Sequence, residues 1–157
     1  MPEPYRFRST WWFPAASPGR VFGAIVDLAA YPRWWTDVRS VRQLDADAAQ
    51  VVCRSRLPYR IVVVMRREEE DLRSGRVRVR LSGDLDGMLA GVLERTGGGT
   101  RLEIVQEVSA RKPLLRKLDA VARPFFRANH AWMMRRGQSG LAAYLAEAEQ
   151  AAEPGEN

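Results

Sequence analysis

The chain has 157 residues, 46% of them hydrophobic and 28% charged, which suits one domain burying roughly 70% of its unfolded surface and excludes disordered and fibrous classes. No apolar run approaches the ~20 residues that cross a bilayer, and the opening MPEPYRFRST lacks the apolar core of a secretory signal, so a cytoplasmic protein without stable membrane insertion is expected. One histidine and one cysteine exclude a Cys/His zinc centre and an internal disulfide within the chain, so neither a metal nor a cofactor is expected.

The segment YRFRSTWWF, residues 5–13, alternates. Tyr5, Phe7, Ser9, Trp11 and Phe13 share one face, as in a half-buried strand. Ser17 then precedes Pro18 and the apolar positions Val21, Phe22, Ile25, Val26 and Leu28, which reads as an N-capped helix of about three turns ending before Pro32. From 38 to 110 the pattern becomes a run of short alternating segments with turn signals between them. Strands are expected over 38–44, 50–57, 59–70, 76–82, 87–96 and 100–110, and such close spacing makes an antiparallel meander. Everything after Pro113 reads as helix, with a break or bend near Pro124 and a long final helix to about 149. We expect one domain over 1–157, with its core over about 5–149 and a disordered tail at 150–157.

A formal charge of +6 raises the question of a nucleic-acid partner. In RVRVRL, however, Arg76, Arg78 and Arg80 alternate with Val77, Val79 and Leu81, and Glu68, Glu69, Glu70 and Asp71 lie just across a short turn. Cross-strand ion pairs on a solvated face account for both runs. No aromatic platform interleaves the arginines, so no nucleic-acid partner is expected.

The element order is a strand, a helix with a short helical extension, a six-strand meander and a long C-terminal helix. Three motifs accompany it: SP-x-x-VF at Ser17, D-x-x-x-YP-x-W at Asp27, Tyr31, Pro32 and Trp34, and VQEV before the last helix. Together they resemble the SRPBCC or START-like helix-grip superfamily, which includes the birch-pollen-allergen family and bacterial polyketide cyclase/dehydrases. The resemblance covers residues 5–147. It implies an α+β fold in which a curved seven-stranded antiparallel sheet wraps around the C-terminal helix, leaving an apolar cavity for a lipid- or polyketide-like molecule. The implied partner is a hydrophobic small molecule, and the chain is expected as a monomer or homodimer.

Strand parity selects the cavity-facing residues. Val79 is inward on the fifth strand, and Val51, Cys53, Ser55 and Leu57 on the third. On the seventh, Leu102, Ile104, Gln106 and Val108 are inward, which makes Gln106 the one polar residue of an apolar row. On the fourth we place Ile61, Val63, Met65 and Arg67 inward, because the alternative face carries Arg60, Arg66 and Glu68. Arg67 either holds an anionic group at the rim or snorkels to water. Tyr59 either offers its hydroxyl to the cavity mouth or packs at an edge. The stripe Phe126, His130, Met133, Met134, Gly137, Leu141 has helical period and faces the sheet. Met133 and Met134 supply deformable apolar surface, while Gly137 and Gly140 either allow a close approach or leave cavity volume.

His130 is expected to look toward Gln106, as a ligand contact, a structural hydrogen bond or a general acid or base. Cys53 reads as a small core residue rather than a nucleophile. If the chain resembles aromatase/cyclases, His130, Arg67 or Tyr59 would exchange protons or stabilise an enolate during aldol cyclisation and dehydration. The stretch WWTDV departs from that pattern, lacking the tyrosine such members carry there. A third reading, a protein-binding module, would use a patch around Trp12, Trp35 and Trp132.

Overall fold

The computed structural model describes residues 4–55, 60–111 and 113–152. Its seven strands are β1 (Tyr5–Phe13), β2 (Val38–Gln43), β3 (Ala48–Cys53), β4 (Ile61–Asp71), β5 (Arg76–Gly83), β6 (Leu85–Thr96) and β7 (Gly99–Ala110). They form one antiparallel sheet in the order β1-β7-β6-β5-β4-β3-β2. The meander supplies six neighbouring strands in sequence order, and β1 adds to its far edge in register from Tyr5 opposite Val108 to Phe13 opposite Thr100. The helix-grip architecture inferred from the sequence is therefore the fold of the chain.

Helix α1 (Pro18–Val26) starts where expected, with the Ser17 side chain accepting from the Arg20 amide and proline in the first turn. It is shorter than three turns and breaks at Asp27. A 3-10 turn (Leu28–Ala30) and a short helix α2 (Tyr31–Trp34) follow. Pro32 does not end a helix here. It sits in the first turn of α2, where its missing N–H has no intrahelical partner to lose.

Several strand ends differ from the expectation. The third strand begins at Ala48 rather than 50, because Asp45 closes the preceding turn by accepting from the Asp47 amide at 2.8 Å. Ala48 and Ala49 then carry the chain into the core at 2% and 1% exposure. The expected strand residues 56–59 lie outside the described residues. The sixth strand starts at Leu85, two residues early, since Gly87 adopts φ 152° with the Glu107 carbonyl carbon 2.9 Å from where a Cβ would stand and the carbonyl oxygen closer still. Only glycine permits that approach of β6 to β7. In β4 a bulge between Arg67 and Glu69 shifts the register against β5. The expected ion pairs follow it, with Arg76 on Glu69 at 3.2 Å and Arg78 on Glu68 at 3.2 Å.

After Pro113 there is no break. Helix α3 (Pro113–Ala152) runs through Pro124 without interruption and three residues beyond the predicted end. Proline costs the helix one amide hydrogen bond, and packing of the following turns holds the segment helical. The Trp35 indole Nε1 donates to the Met133 carbonyl at 3.0 Å, Arg20 donates to the Leu145 carbonyl, and Gln138 donates to the Trp12 carbonyl at 3.3 Å. These bonds join the C-terminal half of α3 to α1, α2 and β1. The same end holds the main core, including Trp11, Phe13, Val21, Trp34, Leu102, Leu141 and Leu145. Each such side chain, fully buried, contributes roughly 1.5–3 kcal/mol. With the helix fixed at that end, its middle stands off the concave sheet.

Candidate ligand cavity

Between the middle of α3 and the concave face of the sheet lies a cavity of about 460 Å³, within the range of small-molecule sites. Its lining includes ten of the twelve residues selected by parity and helical period: His130, Gln106, Arg67, Met65, Ser55, Cys53, Val79, Phe126, Met133 and Met134. Tyr59 lies outside the described residues. Gly137 is a correction, since it does not line the cavity. A Cβ there would stand 2.7 Å from Cε2 of Trp35 and 2.9 Å from Cη2 of Trp11. The glycine admits two indoles to the helix surface and leaves no ligand space.

Those indoles belong to a group that the selection missed. Trp11, Tyr31, Trp34 and Trp35 line the cavity, and Trp34 and Trp35 stack with centroids 5.6 Å apart and planes 17° apart. Strand alternation already put Trp11 inward. Nothing in the spacing of Trp34 and Trp35 shows that α2 turns both toward the helix. Trp35 therefore serves the interior, not an outer patch with Trp12.

On the helix wall, His130 Nε2 lies 2.8 Å from Gln106 Oε1. The pairing anticipated from the two sequence patterns is present. The amide oxygen only accepts, so in this arrangement Nε2 carries the proton and Nδ1 is an acceptor. The Phe7 ring stacks on the imidazole at 3.6 Å between centroids and 11° between planes. Burial lowers the His130 pKa to about 4, because the imidazolium would lose its hydration among these apolar neighbours. At neutral pH the residue is a neutral hydrogen-bonding group.

Cys53 is among the residues that line the cavity. Burial, aided by the negative charge of Asp37, pushes its thiol pKa up to about 12. Asp37 is itself buried at 3% exposure and paired with Arg136 at 3.1 Å. A protonated thiol and a neutral imidazole already bonded to Gln106 make no nucleophile–base pair. At pH 8 the thiolate fraction is on the order of one in ten thousand. Cys53 is therefore expected to react with an aromatic disulfide reagent at least ~100-fold faster in guanidinium than in the native protein. Equal rates would show that the cavity wall opens freely.

Arg67 stands at the rim. It pairs with Asp47 at 3.1 Å and Glu70 at 3.1 Å and donates to the Ala46 carbonyl at 2.7 Å. Its guanidinium is thus occupied by protein acceptors. Deeper polar groups are few. Ser55 and Asn129 line the cavity, but the Ser55 hydroxyl and the Asn129 carbonyl oxygen are closed off from it, buried without a hydrogen-bond partner among the described residues. A buried polar atom left so costs about 1–3 kcal/mol.

A family model described as polyketide cyclase / dehydrase and lipid transport matches residues 12–146. The chain belongs to that family. No curated protein sequence matches it. Solved structures in this family's architecture superpose over nearly the full length. A protein of Thermus thermophilus, 19% identical, aligns over 92% of this chain and 99% of its own with a TM-score of 0.78. The ZhuI aromatase/cyclase of Streptomyces sp. R1128, 14% identical, aligns over 96% of each chain with a TM-score of 0.74. A START superfamily protein of Mycobacterium smegmatis, 14% identical, aligns over 90% of this chain and 97% of its own with a TM-score of 0.71. At such identities the likeness is one of fold, and fold alone does not assign a reaction. Among the described residues no helix is long and apolar enough to cross a membrane.

Proposed function

We propose that this member of the family binds a hydrophobic, lipid- or polyketide-like small molecule between the sheet and α3 and holds or carries it without transforming it. The observation that supports this most is the cavity of about 460 Å³, walled by Val79, Met65, Phe126, Met133 and the tryptophans, with the His130–Gln106 pair as a hydrogen-bonded polar feature on it. An apolar site of that size with few convergent polar groups is the general form of a ligand pocket. A cyclase acting by proton transfer places a titratable group, with its partners, within hydrogen-bond reach of the substrate. Here the partner of His130 is an amide that does not titrate, and Arg67 is engaged by Asp47 and Glu70.

Native mass spectrometry of the purified protein is expected to show an adduct of a co-purified metabolite. N-phenyl-1-naphthylamine, a dye that brightens in apolar surroundings, is expected to be taken up with about one dye per chain and displaced by that metabolite. Val79→Trp, which fills the cavity, should lower dye uptake by about tenfold or more while leaving the far-ultraviolet circular dichroism unchanged. Undiminished uptake by a folded Val79→Trp protein would place the dye elsewhere and remove the reading.

A further inference from the structure

We propose that the outer face of α3 is a reversible docking surface for an anionic lipid bilayer. This goes beyond the binding reading and stands independently of it. The exposed residues of the helix from 124 to 135 are Pro124, Phe125, Arg127, Ala128, Ala131 and Arg135, so that the face is apolar and cationic. A helix side that meets only water is ordinarily charged and polar. Here no acid occurs between Asp119 and Glu147, and Phe125, at 68%, is the most exposed large hydrophobic residue among those described.

Charge identifies the occupant. Residues 111–146 carry eight arginines and lysines against one acid, whereas the rest of the chain carries 17 against 18, so the whole net charge of +6 arises in this stretch. Arg111 is answered by Asp86 and Arg136 by Asp37. Arg127 and Arg135 pair with no acid among the described residues. A second copy of the chain would set like charges against like, and a nucleic acid would answer the arginines but not the phenylalanine and alanines between them. An anionic bilayer answers both, taking the guanidinium groups at its headgroups and the apolar side chains at the acyl boundary. On the opposite side of the same helical turns, Phe126, His130 and Met133 line the cavity. Docking on this face sets the ligand site about one helix diameter, ~10 Å, from the membrane.

Co-sedimentation with vesicles tests this, using phosphatidylcholine alone and phosphatidylcholine mixed equally with phosphatidylglycerol. The mixed vesicles are expected to bind the protein about tenfold or more tighter than the neutral ones in ~0.1 M NaCl and to release it in ~0.5 M. Phe125→Ser is expected to weaken that binding about fivefold, and Arg127→Gln with Arg135→Gln about tenfold or more. Arg8→Gln with Arg39→Gln removes the same charge from β1 and β2 and is expected to stay within about twofold of the unaltered protein. Equal losses from the two double variants would reduce the effect to net charge and overturn the proposal, as would binding indifferent to Phe125→Ser. No binding to the mixed vesicles overturns it outright, and salt-sensitive binding of a single-stranded oligonucleotide would then assign the arginines to nucleic acid. Uptake of N-phenyl-1-naphthylamine without vesicles is expected to be the same in every variant, so failure of the docking surface leaves the cavity reading standing.

Discussion

Gly140→Ala is expected to destabilise the protein by about 3 kcal/mol or more, although alanine is the better helix former by about 1 kcal/mol. The reason lies at the C-terminal end of α2. A Cβ on residue 140 would overlap the carbonyl oxygen of Trp34 and stand 2.9 Å from its carbonyl carbon. Both are backbone atoms, so no rotamer change relieves the overlap. Either α3 lifts away from α2, or the Trp34–Trp35 segment shifts and the cavity loses its inner wall. Gly137 is set against the rings of Trp35 and Trp11, and alanine there acts in the same direction with less force, since side chains yield more readily than backbone. Equilibrium urea unfolding followed by circular dichroism measures both. A loss under ~1 kcal/mol for Gly140→Ala would mean that the helix does not approach the turn this closely.

The second large effect is one of pH. His130 has a folded pKa of about 4 against an ordinary value of 6.5. Between those values the unfolded chain binds a proton that the folded chain does not, so stability falls as pH falls. The contribution is fully present above pH 6.5 and is lost at up to about 1.4 kcal/mol per pH unit through the window, the loss reaching about 3 kcal/mol by pH 4. Carboxylates titrate over the lower part of the same range, so the comparison is with His130→Gln, which keeps a hydrogen-bonding group and removes the titration. Urea unfolding from pH 7.5 to 4.5 is expected to give a flatter pH dependence for the variant. Parallel curves would show that the imidazole is hydrated in the native protein and that the wall around it is open.

The pair itself is legible in the sequence. Alternation along VQEV put Gln106 on the inner row, and helical period put His130 on the sheet-facing stripe. A polar residue isolated on each of two apolar faces needs a partner once those faces meet. The strands were legible for the same reason, because burial of one face imposes a period of two that survives in the residue order. What misled was punctuation. Pro124 reads as a break or bend, of which the break is absent, and Pro32 as a stop, but a proline ends a helix only where the lost hydrogen bond outweighs the packing of the turns beyond it. The Asp-Ala-Asp-Ala-Ala stretch reads wholly as turn, yet two of its alanines are core residues of β3.

By itself, then, the order of residues determined the alternating strands, the capped start of α1, the gripping face of α3 and the inward place of nearly every cavity residue selected. These are local consequences of periodicity and capping, set by chain geometry before any two elements touch. Tertiary structure alone decided that Gly137 makes room for indoles and not for ligand, that Trp34 and Trp35 turn inward, and that Arg67 is neutralised at the rim. Each of those depends on the distance between elements far apart in the chain, and close approach, desolvation and ion pairing arise only when the packed elements set that distance.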